Sequence, residues 1–551
     1  MFKERKNQQD SMILMSMEEM VPKDHLLRKI DKSMDFSFIN EKTKHLYSQD
    51  SGRNCVEPVV LFKIVLLQYL YGIKSMRATI KQCETDASFR WFLGIPFGEP
   101  VPHYSTFSQN YLRRYSGTTI FEEIFETILN VAIQRKLVSG RDLFTDSTHI
   151  KANANKQKYA NQIQTVVKQR KSELEKEINS VRAELGKDEI EFEEETETKA
   201  QKVSTVDPDS GYYHRDEKEK GFMYLDHRTV DGLNNFIVDA YVTPGNVHDS
   251  KPYLSRLDYI LRKYKFQTKN VGLDSGYYSW EIMEGLEDKD IFSAIAYRKF
   301  NTNKEDKKNF TYDETNDVYV CPIGLILPFR NIDKQGYKHY FDQKQCEGCP
   351  LLMTCAGKSK RKEIRRHVKQ EVYQRARERR LSEHGKQLYA RRKTTVERSF
   401  ADSKQNHGYR YATHRGLTKV QNYVWLSCAA QNLKKMALLI HQPAYSSLIS
   451  HPKLHYFSLK QRFRCFLIPK RKAPLLKGAI VISLRKRLFP AVFCALFAFI
   501  GFFLISQDFH RTLFFFTPCV FRIAGFFHDF GFRLDHAGRF AIHFGSGSCR
   551  N

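Results

Sequence analysis

The alternation of apolar and polar residues predicts a helical region over residues 1–140. The run VVLFKIVLLQYLYG at 59–72 has the length and apolar content of a buried helix. After a stretch interrupted by Pro and Gly, Ser105 is placed to cap a further helix. The short helix that ends at Arg113 and Arg114 resembles the DNA-recognition helices of helix-turn-helix proteins, although many helical domains share this pattern. We therefore interpret this region as a helical domain that binds DNA.

From residue 141 the pattern becomes strand-like. The segment RDLFTD carries the apolar residues of a core strand into a polar end. Helical segments separate several further strands, which we predict at 221–231, 235–245, 270–274 and 290–297. Strands that alternate with helices are typical of α/β domains. The fold class predicted for 141–440 is therefore α/β, a mixed sheet flanked by helices with an inserted subdomain.

Two insertions interrupt this α/β pattern. The first, at 157–202, is charged, and its heptad-like apolar spacing predicts an antiparallel arm or a short coiled coil. A solvated helix followed by a disordered acidic run explains the same segment equally well. The second insertion, at about 300–366, is rich in cysteine. The heptad-like positions are Val167, Leu174, Ile178, Val181 and Leu185.

Positive charge is concentrated toward the C-terminal half. From 358 to 393 there are fifteen Lys and Arg residues against four Glu, and a final helix at 417–440 is predicted to be amphipathic. Over the whole chain, 89 Lys and Arg residues against 62 Asp and Glu give a net charge of +27. Such a surplus favours nucleic acid over a membrane surface as the partner, because phosphate contacts release condensed counterions.

Residues 441–551 form a tail of different composition. The tail contains 20 of the 41 Phe residues, 16 Lys and Arg residues, three Asp and no Glu. The uncharged run at 488–505, preceded by Arg485, Lys486 and Arg487, has the minimal length of a membrane span with a positive flank. The scarce acidic residues and the absent periodicity favour the alternative of a read-through or frameshifted translation product. A membrane partner is therefore disfavoured.

The eleven cysteines include one local cluster. The charged start of the chain lacks an apolar signal region, so we expect a reducing, cytoplasmic location, where such clusters more often bind metal than form disulfides. The spacing C-x24-C-x2-C-x5-C suits a tetrahedral structural Zn²⁺ site, and the alternative is four reduced cysteines in an irregular loop. The members are Cys321, Cys346, Cys349 and Cys355.

Three carboxylates stand at positions suited to metal-dependent phosphodiester chemistry. Asp146 ends the strand LFTD, and Asp274 ends the strand NVGLD before a Ser-Gly turn. Glu397 lies on a predicted helix, where Lys393 and Lys404 fall on the same face. Carboxylates from different elements can hold two Mg²⁺ ions that activate the attacking oxygen and stabilise the leaving one. Taken singly, such residues are more often turn, cap or surface ion-pair residues.

Four strings, three of them around these carboxylates, resemble bacterial insertion-sequence DDE transposases, in particular the group with an InsH-type N-terminal domain. The strings are EPVVLFKIVLLQYLYG near the start, LFTDSTHIKANANK around Asp146, VTPGNVHDS with LDSGYYS at Asp274, and TTVERSFADSKQNHGYRYATHRGL around Glu397. They occur in the expected order, and the resemblance covers roughly residues 20–440. It implies that 141–440 is an RNase H-like catalytic domain.

The resemblance also implies a mechanism and partners. Asp146, Asp274 and Glu397 become a DDE triad that binds two Mg²⁺ (or Mn²⁺) ions. Water first releases a 3′-hydroxyl at the end of the element, and that hydroxyl then attacks target DNA. The implied partners are terminal inverted repeats and target DNA, bound by a homo-oligomer, with no small-molecule substrate. A bacterial cytoplasmic location, associated with the nucleoid, is expected for such a protein.

Cations on the helix that carries the Glu are predicted to contact DNA. Relatives carry a Tyr, an Arg, the Glu and a Lys at set spacings along this helix. Lys404 fits this pattern, but Lys393 stands where an Arg is usual. Ala390 stands where a Tyr is usual, and the nearest Tyr and Arg lie one residue early. The residues predicted to bind DNA are Arg392, Lys393, Arg398, Lys404 and Arg415.

Two alternatives to an active transposase remain open from the sequence. A metal-dependent nuclease that hydrolyses DNA without strand transfer would carry the same carboxylates. A decayed DNA-binding remnant without catalysis would explain the unusual tail, although the intact triad opposes it.

Overall fold

The computed structural model describes residues 12, 14–48, 50, 52, 54–167, 172–192, 196–214, 220–297, 310–357, 359–442, 533–534 and 540–541. The chain divides into two compact units, Met1–Leu454 and His455–Asn551. In the second unit, two short strands, Arg533–Leu534 and Phe540–Ala541, pair antiparallel. The apolar run at 488–505 lies outside the described residues. None of the helices within these ranges combines the length and apolarity needed to cross a bilayer.

The N-terminal part of the first unit is helical, as predicted. The apolar run at 59–72 forms a helix of thirteen residues that is buried over most of its length, with Pro58 in its first turn. Ser105 occupies the N-cap of a later helix, but its side chain makes no capping hydrogen bond. The helices are α1 (Met17–Met20), α2 (Leu26–Ser33), α3 (Phe38–Thr43), α4 (Pro58–Leu70), α5 (Met76–Thr85), α6 (Ala87–Leu93), α7 (Thr106–Asn110) and α8 (Ile120–Gln134).

The region that follows combines strands and helices, which confirms the predicted mixed α/β class. All four strands predicted after the first one are present. The elements in chain order are β1 (Asp142–Lys151), β2 (Tyr159–Val167), α9 (Ser172–Glu184), β3 (Thr196–Ser204), β4 (Gly211–Tyr213), β5 (Gly221–Asp231), β6 (Ile237–Pro244), α10 (Tyr253–Tyr264), β7 (Asn270–Leu273), α11 (Trp280–Glu287) and β8 (Phe292–Ile295).

A six-stranded sheet organises this region. β5 pairs antiparallel with β1 on one side, and with β6 and the short β4 on the other. β1 pairs parallel with β7, which in turn pairs parallel with β8. Because β1, β7 and β8 run in the same direction, their C-terminal ends meet at one edge of the sheet, where parallel sheets commonly carry their sites.

β1 is longer than predicted, so that Asp146 lies inside the strand and not at its end. The strand continues because β5 pairs with it along almost its whole length, whereas β7 pairs with it only as far as Phe144. Asp146 therefore lies beyond the end of the β1–β7 pairing, although β1 itself continues past it. Asp274 follows β7, the other strand of this pair.

The charged insertion forms an arm of two antiparallel strands, β2 and β3, with α9 between them in the chain. The predicted coiled coil is wrong, because Val167, the first heptad-like position, belongs to β2. In α9, Leu174 and Ile178 are buried in a cluster with Trp280. The apolar side chains of this helix thus pack on α11 and on the second inserted sheet and not on a coiled-coil partner. Residues 193–195 of the acidic run lie outside the described residues.

The cysteine-rich insertion forms a five-stranded antiparallel sheet with a small apolar core. Tyr340 is fully buried in this core together with Phe310, Leu327, Cys346 and Ile364. The strands, in spatial as well as chain order, are β9 (Thr311–Asp313), β10 (Val318–Val320), β11 (Ile326–Ile332), β12 (Tyr337–Tyr340) and β13 (Ile364–His367), and two short helices, α12 (Gln343–Cys346) and α13 (Leu352–Ala356), precede β13.

Four helices complete the first unit: α14 (Gln370–Leu381), α15 (Glu383–Ala390), α16 (Val396–Asn406) and α17 (Leu417–Ile440). α17 has the predicted bounds, but its predicted amphipathic character is wrong. The helix contacts β6 as well as the N-terminal helices α2, α4 and α8, so that side chains on several of its faces are buried. A helix covered in this way has no single polar stripe.

The packing of α17 also encloses the side chain of Lys435. Its ammonium group donates a hydrogen bond to the Asn235 carbonyl oxygen. Burial lowers the pKa of Lys435 from 10.5 to about 8, an effect that the nearby Asp402 carboxylate opposes only in part. Between these pH values the folded state binds fewer protons than the unfolded state, so stability rises with pH in this window.

We predict that Lys435→Met removes this pH dependence. The unfolding free energy of the wild type, measured in urea from pH 7 to pH 10, should rise relative to that of the variant by up to about 2 kcal/mol. Lys434→Met, at the neighbouring position of α17, is the matched control and should follow the wild type at every pH. A difference between wild type and Lys435→Met that stays constant with pH would show that Lys435 remains charged in the folded protein.

Candidate active site

Two of the carboxylates predicted as catalytic lie just beyond the point where the parallel strands β1 and β7 stop pairing. The register of β1 with β7 ends at Phe144 and Gly272, and Asp146 and Asp274 each come two residues later. Asp274 caps a short 3-10 turn, in which its carboxylate accepts a hydrogen bond of 2.6 Å from the Ser275 amide. The two carboxylates therefore lie at the same edge of the sheet.

The guanidinium group of Arg392 joins the two carboxylates. Its Nη2 lies 2.7 Å from Asp146 Oδ2, and its Nη1 lies 3.7 Å from Asp274 Oδ1. The Arg392 side chain is only 4% exposed, so this cation is built into the site. Gly272 leaves room for the Phe144 ring, because a Cβ there would lie 2.7 Å from it, while Arg392 Cγ at 3.5 Å would be in ordinary contact. Charge-assisted hydrogen bonds of this kind are stronger than neutral ones.

A 3-10 turn between α15 and α16, Arg391–Thr394, positions Arg392. Arg391 donates hydrogen bonds of 2.6 Å to Asp142 and 2.9 Å to the Gly232 carbonyl. Asn235 Nδ2 donates a further hydrogen bond to the last carbonyl of the turn. The turn is thus anchored to the start of β1 and to the loop between β5 and β6.

Burial raises the pKa of Asp146 from 3.8 to about 6. Arg392 and the Ser147 amide act in the opposite direction, while the carboxylates of Asp274 and Asp249 raise the pKa further. Acidic side chains that affect one another's ionisation in this way are typical of functional sites. Two carboxylates paired with a single guanidinium group also leave the site with a deficit of positive charge.

Asp249, which the sequence pattern did not single out, belongs to this group. It lies in the loop after β6, and its Oδ1 accepts a hydrogen bond of 2.6 Å from the hydroxyl of Ser147, the neighbour of Asp146. The signal that could have found it is the string VTPGNVHDS, in which Asp249 is the only carboxylate.

Glu397 lies in the first turn of α16, where its side chain is exposed. The opposite face of α16 is held by Arg228 on β5, the residue paired with Asp146 in the β1–β5 register. Arg228 Nη1 donates hydrogen bonds of 3.1 Å to Ser399 Oγ and 2.8 Å to Ser403 Oγ. The helix that carries Glu397 is thereby fixed to the strand beside Asp146.

The structure brings Asp146 and Asp274 together but does not bring Glu397 into a metal-binding group with them. Within the described ranges, no three Asp, Glu, His or Cys side chains lie close enough to hold a metal ion. The two aspartates nevertheless fit a divalent cation, because they already share one cation, the Arg392 guanidinium. Carboxylate oxygens are also the ligands that Mg²⁺ prefers.

The predicted common helix face of Lys393, Glu397 and Lys404 is wrong. Thr395 has φ −115° and ψ −97°, which are not helical values, and α16 begins only at the next residue. Lys393 belongs instead to the 3-10 turn before this break. Glu397 and Lys404 both belong to α16. Lys393 belongs to the 3-10 turn Arg391–Thr394, so its direction does not follow the face of α16.

The residues predicted to bind DNA differ in their exposure. Arg392 is buried in the acidic site and does not face solvent. Lys404 is half-buried, its ammonium donates to the hydroxyl of Thr148, and burial lowers its pKa. The exposed members of the set are Lys393, Arg398 and Arg415.

The four clustered cysteines do not form the predicted Zn²⁺ site in the part of the chain that the structure describes. Cys346 is buried in the apolar cluster around Tyr340, and Cys321 and Cys355 pack against that cluster. Cys349 is partly exposed, and all four are free of disulfides. Free cysteine packs as a small apolar side chain. Three of the four cysteines therefore contribute to the core of the insertion as apolar side chains do.

Two family models match separate parts of the chain. One, described as a transposase domain (DUF772), matches residues 15–113, and the other, described as a transposase DDE domain, matches residues 320–437, which include Glu397. These matches support an insertion-sequence DDE transposase. The DDE match also supports DNA transposase activity. Asp146 and Asp274 lie between the two matched stretches, and a comparison with curated proteins gave no match.

Two solved structures were compared with the chain. The piggyBac transposase synaptic complex with hairpin DNA is 11% identical, covers 84% of this chain and 86% of its own, and has a TM-score of 0.28. The Mos1 mariner paired end complex with Mn is also 11% identical, covers 46% of this chain and 64% of its own, and has a TM-score of 0.14. Both TM-scores are too low to support a conclusion about fold or mechanism.

We predict that Arg392→Gln strengthens the binding of a divalent cation to the DNA-free protein. The variant removes the cation that now occupies the carboxylates, so Mn²⁺ affinity measured by calorimetry should increase about tenfold, the equivalent of about 1.4 kcal/mol. Lys393→Gln is the matched control, because it removes a neighbouring positive charge of the same turn that is exposed and belongs to neither ion pair of Arg392. Weaker Mn²⁺ binding by Arg392→Gln would mean that Arg392 organises the carboxylates and does not compete for them.

Proposed function

We propose that the chain cleaves DNA at the ends of its insertion sequence and joins the released ends to target DNA. The catalytic carboxylates in this proposal are Asp146, Asp274 and Glu397. The observation that carries it is the pair of aspartates just beyond the parallel pairing of β1 with β7, which share the buried cation of Arg392. Phosphoryl transfer depends mainly on positioning and on charge stabilisation, and a carboxylate pair that holds cations supplies the framework for both.

Two Mg²⁺ (or Mn²⁺) ions are the cofactors that this proposal requires. When bound, they supply an activated oxygen nucleophile and stabilise the leaving oxygen. Asp146 and Asp274 would hold them, and Glu397 would complete the ligand set after moving inward from its exposed position. Arg392 would have to release at least one carboxylate, because its guanidinium group lies against both of them. Zn²⁺ has no part in this mechanism.

Exposed cations around α16 would bind the DNA backbone. Lys393 precedes the helix, Arg398 follows Glu397 directly, and Arg415 lies in the loop between α16 and α17. Contacts of this kind position a duplex without reading its sequence. Lys404 would act from the side of β1, since its ammonium lies against Thr148. Arg392 would reach DNA only after leaving the acidic site.

The sheet order and the charge of the chain support the wider proposal. An antiparallel β6–β5–β1 segment followed by parallel β7 and β8, with helices packed on it, supports an RNase H-like catalytic domain at 141–440. The helical domain at 1–140 would recognise the terminal inverted repeats. The net charge of +27 favours DNA as the partner. We also propose that the chain assembles as a homo-oligomer on DNA and is located in the bacterial cytoplasm, associated with the nucleoid. The tail at 441–551 has no role in this proposal.

The triad is tested by isosteric substitutions that remove one charge at a time. Asp146→Asn, Asp274→Asn and Glu397→Gln should each reduce Mg²⁺-dependent cleavage to background while DNA binding is retained. The substrate is a duplex that carries the inverted repeats flanking the gene, and gel assays measure binding and cleavage. Asp142→Asn is the matched control on the same strand, because Asp142 binds Arg391 and not Arg392. Cleavage that persists in one of the three variants would exclude that residue from the mechanism.

A second assay separates transposition from simple hydrolysis. Pre-cut duplexes with a free 3′-hydroxyl at the element end are incubated with target DNA and Mg²⁺. Joined products that depend on Asp146 are expected from a transposase, whereas hydrolysis without joining would identify a nuclease. Full-length chain that binds the ends but neither cuts nor joins them would identify a decayed DNA-binding remnant.

A further inference from the structure

Asp249 approaches the chain segments that follow both catalytic aspartates. Its Oδ1 accepts a hydrogen bond of 2.6 Å from the hydroxyl of Ser147, directly after Asp146. Its Oδ2 lies so close to Gly276, two residues after Asp274, that a Cβ at Gly276 would be only 2.9 Å away. One carboxylate from the loop after β6 therefore lies against β1 next to Asp146 and against the chain after β7, and Gly276 permits the approach.

The hydrogen bond to Asp249 is linked to the carboxylate of Asp146. The Ser147 amide donates a hydrogen bond of 2.9 Å to Asp146 Oδ1, while the Ser147 hydroxyl donates to Asp249. The other oxygen of Asp146, Oδ2, is held by Arg392. If a divalent cation replaces Arg392, Asp146 loses its contact with Arg392 but keeps the hydrogen bond from the Ser147 amide. The orientation of Ser147 then decides where the Asp146 carboxylate points.

A small cavity borders Asp249. It is lined by residues of β1, β5, β6 and α10, including Thr145, His227 and Tyr253, and by Tyr277. His227 Nδ1 and the hydroxyls of the two tyrosines have no hydrogen-bond partner among the described residues, although these side chains are at most 5% exposed. Buried polar groups without protein partners are commonly satisfied by ordered water. Water in this cavity would satisfy these buried groups next to Asp249.

We propose that Asp249 is a positioning residue of the catalytic site, which acts through Ser147 to hold the Asp146 carboxylate in the orientation that binds a divalent cation. The inference rests on the proposed function, because it concerns the same carboxylates. Asp249 contacts neither DNA nor the cation in this scheme. Residues that orient a metal ligand from outside its coordination shell typically change metal affinity about 10- to 100-fold when they are lost.

The test measures Mn²⁺ binding to the DNA-free, full-length chain. Calorimetry gives the affinity, and the electron paramagnetic resonance spectrum reports on the bound ion. Asp249→Asn and Ser147→Ala should each weaken Mn²⁺ binding, Asp249→Asn by about tenfold. The double variant should be no weaker than the weaker single variant, because both substitutions act on one hydrogen bond: Ser147→Ala removes its donor, and Asp249→Asn replaces its charged acceptor with a neutral one. Ser147→Thr restores a hydroxyl and should restore the affinity. His248→Ala changes an exposed neighbour in the same loop and should bind Mn²⁺ like the wild type.

The outcomes separate this inference from the proposed function. Asp146→Asn and Asp274→Asn should lose Mn²⁺ binding. If they do so while Asp249→Asn and Ser147→Ala bind within twofold of the wild type, the role of Asp249 is excluded and the proposed metal site stands. If the loss of Mn²⁺ affinity in the double variant equals the sum of the losses caused by Asp249→Asn and by Ser147→Ala, the two residues act independently. That result would also exclude action of Asp249 through Ser147. If Asp146→Asn binds Mn²⁺ as the wild type does, the metal site fails and the inference fails with it.

Discussion

The ion pair between Arg228 and Asp226 on β5 connects the sheet to the helices around it. Both side chains are inaccessible to solvent, and Nη2 of the arginine lies 2.8 Å from the carboxylate. Nη1 binds the two serine hydroxyls on α16 and, at 3.3 Å, Gln431 on α17, while the Tyr409 hydroxyl binds the same carboxylate oxygen at 2.8 Å. A buried charge that loses its partner costs about 3–5 kcal/mol. One position on β5 therefore fixes the helix that carries Glu397, the loop after it and the long helix α17.

The acidic site depends on this arrangement. Because α16 is held to β5, the turn before it follows a defined path, and Arg392 extends from that turn to Asp146 and Asp274. The arginine supplies in the DNA-free protein the positive charge that the carboxylates need. Cation binding would exchange an internal charge for a divalent one, and Arg392 would then be free to approach a phosphate. On this account, the site without a divalent cation has Arg392 against the two aspartates. The site with the cation would differ from it in the position of the Arg392 side chain and in an inward movement of Glu397.

Local patterns predicted the elements well and the contacts between distant elements poorly. The strands β5–β8 and the bounds of α17 follow from apolar runs and from the residues that interrupt them. The extension of β1 beyond Asp146 depends on pairing with β5, which no local window contains. The strings around Asp146, Asp274 and Glu397 identified these positions, but spacing along the chain could not show that Arg392 turns back to the two aspartates. The same limit explains Asp249, whose partner Ser147 is distant in the chain, and the cysteines, whose spacing suits Zn²⁺ while their side chains pack in an apolar core.

The central claim is that Asp146 and Asp274 form one cation site that Arg392 occupies in the absence of a divalent ion. The most direct test is a crystal structure of the full-length chain with Mn²⁺, in which anomalous scattering locates the metal. We predict an anomalous peak between the carboxylates of Asp146 and Asp274, with the Arg392 guanidinium group withdrawn from at least one of them. Mn²⁺ bound elsewhere in the molecule, with Arg392 still against both aspartates, would contradict the account.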